Sequence, residues 1–292
     1  MATETNQSQS EHGAGGGLLM LYPQAKPVPL CGLYLCEDLR SQIAASGTFV
    51  YSNFITSLDG RIAVADPGTG RLGVPAQTAN PRDWRLLLEL AAPADAIMLS
   101  GRHVRELGAG SAQAWPPFSK DAPADLLAFR ERQSLPQQPA LVVVTRSLHL
   151  PVQALERLAQ AHRLIVASVD DAPEAAREAA ANAGAEVLRL GAWSVEGRRL
   201  SAALTERGLR LVYSTAGLEV LHLLLQSRLL KRLYMTTVTR ILGGADYATL
   251  VQGARLRPPY DFSLSALYLD AQGPDGVDQL MQVYDRRDAG GS

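Results

Sequence analysis

Short apolar runs alternate with stretches of helical period along most of the chain. Residues 48–56 (TFVYSNFIT) are β-branched and aromatic and read as a strand entering the turn Ser57-Leu58-Asp59-Gly60. Asn80-Pro81 then opens a helix to about residue 92, with Asn80 as cap and Pro81 in the first turn. Residues 94–100 form a strand closed by Gly101, and residues 140–145 (ALVVVT) are continuously apolar, as a strand buried on both faces should be. Pro151 starts a helix, residues 163–168 a strand, and Asp171 caps a further helix stopped by Gly184. A strand at 186–190, a helix at 200–207 ending at Gly208, a strand at 209–213 and an apolar helix at 218–230 follow. A strand at 232–238, the turn Leu242-Gly243-Gly244 and closing strands at 255–258 and 262–269 complete the pattern. Strands alternating with helices predict an α/β fold with parallel crossovers.

The pattern divides the chain into a disordered tail (1–25), an N-terminal extension (26–47) with a short helix near 37–45, and one domain (48–285). The GAGGG at 13–17 follows no strand and opens no helix, so it reads as a linker. The irregular stretch 108–124 is long enough to line a binding site, and Trp115 within it is placed to stack on a ligand ring or to cover core.

Composition narrows the function. The 292 residues are 47% hydrophobic with net charge −1, which excludes a disordered chain and supplies no field for nucleic acid or an acidic membrane. Two cysteines, Cys31 and Cys36, are too few for a disulfide framework, and no zinc-type spacing accompanies them; they read as free thiols in a reducing compartment. No run approaches about 18 apolar residues, and the polar start lacks a basic signal-peptide region. The expectation is a cytoplasmic protein with no metal site.

No phosphate-loop, nucleophile-elbow or zinc-deaminase motif occurs. What remains are small turns at strand ends, at 56–63, 99–103 and 213–217. In open α/β sheets ligands sit beyond the carboxyl ends of strands, and small residues there let a phosphate reach helix N-terminal N–H groups. His222, with Glu219 and Gln226, reads as a polar helix face, and His149 and His162 as structural.

Together these turns carry a resemblance. The stretch NFITSLDGRIA (53–63), followed in register by RDWRLLLELAAPADAIMLSGRHV (82–104), PALVVVTRSLHLP (139–151), AGAEVLRLG (183–191), LSAALTERGLRLVYSTAG (200–217) and LLKRLYMTTVTRILGG (229–244), resembles the pyrimidine reductases of the riboflavin pathway. The resemblance implies a dihydrofolate-reductase-like α/β fold: a mostly parallel central sheet flanked by helices, with closing antiparallel strands. It implies NADPH as cofactor, a phosphorylated pyrimidine as small-molecule substrate, reduction of its ribosylamine to a ribitylamine, and a homodimer, which the apolar 218–230 helix permits. The deaminase half of the bifunctional relatives has no counterpart, so a stand-alone reductase-type domain is expected.

By the match, Ile55 and Ser57 line the nicotinamide end and Asp59, the catalytic candidate, borders the pocket beside Gly60. Gly101 and His103 face the cofactor, Thr215, Ala216, Gly217, Leu218 and Glu219 cradle its phosphates, and Gly243 and Gly244 complete the turn near it. Asn53 and Arg85 are the substrate-binding candidates, with Arg102 as another source of a phosphate-binding guanidinium. Departures are evident. Thr215-Ala216-Gly217 stands where the family shows Glu-Gly-Gly, His103 and Leu107 replace a Thr and an Asp, and the helix motif Leu-Leu-Arg reads Leu86-Leu87-Leu88-Glu89. Two alternatives therefore stand beside the pyrimidine reductase: a relative that reduces another small molecule, and a catalytically silent ligand-binding or scaffold protein.

Overall fold

The computed structural model describes residues 16–44, 47–112 and 118–287. The chain runs β1 (Leu18–Tyr22), β2 (Lys26–Val28), β3 (Phe49–Ser57), β4 (Ala63–Ala65), β5 (Leu72–Gly73), α1 (Pro81–Ala91), β6 (Ala96–Ser100), α2 (Gly101–Gly108), α3 (Ala124–Arg132), β7 (Ala140–Val144) and α4 (Val152–Ala161). It continues through β8 (Leu164–Ser168), α5 (Glu174–Asn182), β9 (Glu186–Arg189), α6 (Gly197–Glu206), β10 (Leu211–Ser214), α7 (Leu218–Gln226), β11 (Leu230–Val238), β12 (Tyr247–Ala248), β13 (Phe262–Asp270) and β14 (Gln279–Arg286).

One 11-stranded sheet has the order β2-β1-β13-β14-β11-β3-β10-β6-β7-β8-β9. The half from β11 to β9 is parallel, and β14, β13, β1 and β2 close it antiparallel. This is the α/β arrangement expected. β7 and β8 are buried at every residue, which explains their unbroken apolar runs. The chain steps outward from β3 through β6 to β9, then returns to insert β10 between β3 and β6. That reversal leaves a crevice beyond the carboxyl ends of β3, β10 and β6. Asn80 caps α1 as expected, accepting N–H bonds from Arg82 and Asp83.

Several boundaries differ from the sequence pattern, one through long-range pairing and the others through local backbone geometry. Leu18–Tyr22 lies inside the segment read as a tail, yet it pairs with β13 and buries Leu18. Residues 37–45 form no continuous helix. Two short 3-10 turns meet at Asp38, whose φ of 42° breaks the run. The expected strand at 255–258 is absent, as Pro258 has no N–H to donate to a ladder, and the sheet is closed instead by β14 between β11 and β13. Pro173, not Asp171, precedes the first turn of α5, and Asp171 makes no cap. α7 ends at Gln226, and Val220, Leu221, Leu224 and Leu225 are buried, so its apolar surplus serves the core.

The N-terminal extension is part of that core. Leu30, Leu33, Tyr34 and Leu39 are buried, with Tyr34 packed on Tyr234 at 4.7 Å between ring centres. Buried Glu89 of α1 accepts the Gly32 N–H at 2.6 Å and the Tyr34 N–H at 3.1 Å, and Glu37 accepts from Arg232 at 2.6 Å and from the Tyr234 hydroxyl at 2.7 Å. Cys31 and Cys36 are exposed and not bonded to each other.

Candidate functional site

A cleft of about 1220 Å³ opens at the carboxyl ends of the parallel strands. Drug-sized pockets run roughly 300–1,000 Å³, so this one has room for a dinucleotide beside a small second ligand. Eight residues expected from sequence line it: Asn53 and Ile55 from β3, Gly101 and His103 from α2, and Thr215, Gly217, Leu218 and Glu219 at the start of α7.

The β10–α7 turn is held to the sheet by Thr215, whose N–H donates to Met98 O at 3.1 Å. Gly217 is the N-cap of α7 and no side chain caps that end. A Cβ at Gly217 would meet nothing within 4 Å, so the backbone there is open. The leading N–H groups of a helix have no intrahelical acceptor, and here they remain available to an anion. Ala216 is 2% exposed and absent from the cleft wall. Its methyl is buried, so replacement of a glycine at this position leaves the cavity open; Ala216 is correspondingly not a side-chain contact for a ligand.

At the neighbouring helix start, Ser100 caps α2 by accepting the His103 N–H at 3.3 Å. Gly101 is required sterically, because a Cβ would lie 2.6 Å from the Thr145 hydroxyl oxygen. The His103 Nε2 is buried without a hydrogen-bond partner among the described residues. Burial holds its pKa below the ordinary histidine value, against the opposing pull of Glu106. The ring is therefore a neutral wall of the site, and positive charge comes from Arg102, Arg105, Arg146 and Arg198. Arg102 pairs with Glu106 at 2.7 Å, whereas Arg146 and Arg198 are exposed and form no ion pair among the described residues.

The remaining expected residues lie outside the cleft lining. Ser57, Asp59, Gly243 and Gly244 build a knot between two turns. The Asp59 carboxylate accepts from the Ser57 hydroxyl at 2.5 Å, from Gly243 N–H at 3.0 Å and Leu242 N–H at 3.3 Å, and pairs with Arg61. The Ser57 hydroxyl and the Gly243 amide are the main causes holding its pKa down to about 2. A carboxylate so fully engaged ties the two turns together, and Asp59 stands outside the cleft lining. Arg85 is likewise committed, to Glu89 at 2.9 Å and to Asp125 at 2.5 Å, and does not reach the cleft wall as a substrate ligand. Trp115 lies outside the described residues.

Several cleft residues went unread in the sequence. Asp83, on the first turn of α1, is 8% exposed and lines the cavity with Asn53 and Leu87. Burial raises its pKa to about 6, while a hydrogen bond from Thr236 opposes the rise. Beside it, Asn53 accepts the Tyr213 hydroxyl. Acidic residues in a first helical turn ordinarily complement the helix dipole, so the pattern alone hid this one. Arg146 and Ser147, just beyond β7, were also missed; the Thr145-Arg146-Ser147 turn carries the same small-residue signal as the turns singled out.

Among the described residues no cluster of His, Cys, Asp and Glu is arranged to hold a metal, and no helix is long and apolar enough to cross a membrane.

Residues 48–269 match the family model of the RibD C-terminal domain. No curated protein matches the chain significantly in sequence. Among solved structures, a pyrimidine reductase-like protein of Corynebacterium diphtheriae superposes with TM-score 0.65 at 18% identity, over 82% of this chain and 93% of that one. Acinetobacter baumannii RibD gives 0.57 at 16% identity, over 86% of this chain and 64% of that longer protein. The riboflavin biosynthesis reductase Rib7 of Saccharomyces cerevisiae gives 0.51 at 15% identity, over 85% and 94%. At these identities the likeness is one of fold.

Proposed function

The chain belongs to the RibD C-terminal domain family, and from that premise we propose that it is an NADPH-dependent reductase acting on a ribosylamine of a phosphorylated pyrimidine, with a ribitylamine as product. The observation that carries this reading is the uncapped N-terminus of α7 at Gly217, facing a cleft rimmed by Arg102, Arg105, Arg146 and Arg198.

The residues present fit a nicotinamide dinucleotide. The α7 N-terminus accepts a pyrophosphate without a new side chain. Arg146 and Arg198, unpaired among the described residues, supply charge for the 2′-phosphate that distinguishes NADPH from NADH. Ile55 and Leu87 offer apolar walls for the nicotinamide ring, and Asn53 offers an amide to the substrate. The bound cofactor supplies the hydride; the protein holds two ligands at reacting distance and excludes water. Asp59 acts as a turn anchor in this scheme. The assembly we propose is a cytoplasmic homodimer, and Leu19, Leu21, Tyr22 and Leu264, each more than a third exposed on β1 and β13, form its apolar contact strip. α7 is spent on the core and plays no part in that contact.

A second reading is favoured by Arg85. Its guanidinium is taken by Glu89 and Asp125, so it offers nothing to a substrate phosphate. A reductase of the same family acting on an unphosphorylated carbonyl or imine fits that loss.

Thermal unfolding with NADPH, with NADH, and with each plus 5-amino-6-(5-phosphoribosylamino)uracil tests both. Ligand at about 100 times its Kd adds roughly 2.7 kcal/mol, a rise of several degrees for a domain of this size. A rise with NADPH that exceeds that with NADH, and that shrinks in Arg146→Ala, supports the cofactor site. Consumption of NADPH with this pyrimidine supports the first reading over the second. No rise with either nucleotide removes both reductase readings.

A further inference from the structure

Asp83 is, among the described residues, the one carboxylate of the cleft that is buried and has no cationic partner. Glu106 pairs with Arg102, Glu196 lies 3.9 Å from Arg199, and Glu219 is exposed. The arginines nearest Asp83 in sequence are committed elsewhere, Arg82 to Asp270 at 2.7 Å and Arg85 to Glu89 and Asp125. The groups that face Asp83 are the Thr236 hydroxyl of β11, the Tyr213 phenol of β10 and the Tyr34 phenol of the N-terminal extension. Both phenols are fully buried, and burial pushes their pKa values well above the ordinary tyrosine value, so they stay neutral through physiological pH.

Capping does not account for this residue. Asn80 already accepts the N–H groups of Arg82 and Asp83, so the α1 terminus is satisfied without an acid. A carboxylate serving the helix dipole belongs at the surface, where its charge stays hydrated. Asp83 instead lines the cleft, as do Asn53, Phe54 and Leu87.

We propose that Asp83 is the proton donor of the reduction, delivering the proton of its carboxyl group to the nitrogen of a C=N bond held against Asn53, Phe54 and Ile55 of β3. The inference rests on the reductase reading above. The C=N bond is that of the opened ribosylamine, formed as the bond from C1′ to the ring oxygen breaks and that oxygen takes the proton of the glycosidic N–H. With a dihydronicotinamide as reductant, hydride then forms a new C–H bond at the imine carbon and the C=N π pair moves to nitrogen. That nitrogen takes the Asp83 proton as the carboxyl O–H bond breaks. The imine is reduced to an amine, the dihydronicotinamide is oxidised, and Asp83 is left as carboxylate until water returns its proton. A carboxyl group that titrates near 6 is matched to this task, because a general acid works best with a pKa close to the operating pH.

The test uses the full chain and three readouts. Carbon-13 NMR of protein labelled at aspartate carboxyls, assigned by Asp83→Asn, should give a resonance titrating near pH 6; one titrating near 4 overturns the proposal whatever the activity. NADPH affinity, read by nucleotide fluorescence, should be unchanged in Asp83→Asn. With 5-amino-6-(5-phosphoribosylamino)uracil, kcat should fall about 10²–10⁴-fold, and the wild-type decline above about pH 6 should vanish. Asp83→Glu should recover part of kcat with that pH dependence restored. Wild-type turnover that survives in folded Asp83→Asn overturns the proposal and leaves the reductase reading standing. A wild-type protein that neither binds NADPH nor oxidises it overturns both.

Discussion

The carboxylate of Asp59 accepts the backbone N–H of Gly243 at 3.0 Å, a contact between residues 184 positions apart. Arg61 strengthens the same tie by pairing with Asp59 and donating to Gly244 O at 2.9 Å. The two turns following β3 and β11 are thereby one rigid unit beside the cleft, and Ile62 and Ala63, which line it, extend from that unit.

Asp59→Ala should therefore act on stability and cofactor affinity more than on chemistry. The Asp59 pKa is held at about 2 against an unfolded value near 3.8, so its contribution is fully present above about pH 4 and disappears as pH falls toward 2. Melting curves of wild type and variant should differ at pH 7 and converge at about pH 2. Steady-state kinetics should show kcat retained to within about tenfold, whereas loss of a general acid costs about 10²–10⁴-fold.

Gly101→Ala should damage the site without touching a charged group. The new Cβ would sit 2.6 Å from Thr145 Oγ1 and 2.8 Å from Thr145 Cβ, and Thr145 is 7% exposed with little room to move. Overpacking of this kind costs about 1–3 kcal/mol. We expect a lower melting temperature and a weaker NADPH-induced rise, both measured by differential scanning calorimetry.

Glu89→Gln should loosen the N-terminal extension. Glu89 is fully buried, and removing its charge leaves Arg85 with only the exposed Asp125. Loss of one partner from a buried pair destabilises by about 3–5 kcal/mol, and the second carboxylate that stays with Arg85, the exposed Asp125, puts this case at about 3 or below. Hydrogen exchange should quicken at the Gly32 and Tyr34 amides, which bond to Glu89, while the amides of β7 and β8 keep their protection.

The parts of the fold readable from sequence are those set by local pattern. The parallel strands β7 and β8 are unbroken apolar runs, and the turn after β6 uses a small residue for which packing leaves little choice, Gly101. Contacts from Asn53 to Glu219 fell into one cavity because those turns share an end of the sheet. What was not readable depends on partners distant in the chain. β1 exists through β13, and Leu19 pairing with Leu269 leaves no mark in residues 18–22 alone. Asp59 and Arg85 carry the charges that catalysis and phosphate binding use, yet neighbours at Gly243 and Asp125 occupy them. Asp83 is the reverse case, a first-turn acid that the local pattern does not single out and that the fold buries against Thr236 of β11.

Burial of Asp83 also predicts a stability cost of definite sign. Its folded pKa of about 6 lies above the unfolded value of 3.8, so the folded state binds this proton more tightly. Stability is then unaffected by the group below about pH 4 and falls as pH rises from 4 to 6. Above 6 the full cost is present. A difference of about two pKa units corresponds to about 3 kcal/mol at 1.36 kcal/mol per unit, an order-of-magnitude figure for a group this buried. Asp83→Asn removes the charge and keeps an oxygen to accept the Thr236 hydrogen bond. The variant should melt higher than wild type at pH 7–8 by several degrees, and the two should coincide near pH 4. Urea unfolding at pH 4, 6 and 8 measures this directly. A variant that is less stable than wild type at pH 8 would mean that Asp83 is held as a favourable carboxylate in the folded protein. A more stable, cofactor-binding variant with little turnover would show a buried acid kept for chemistry at the expense of the fold.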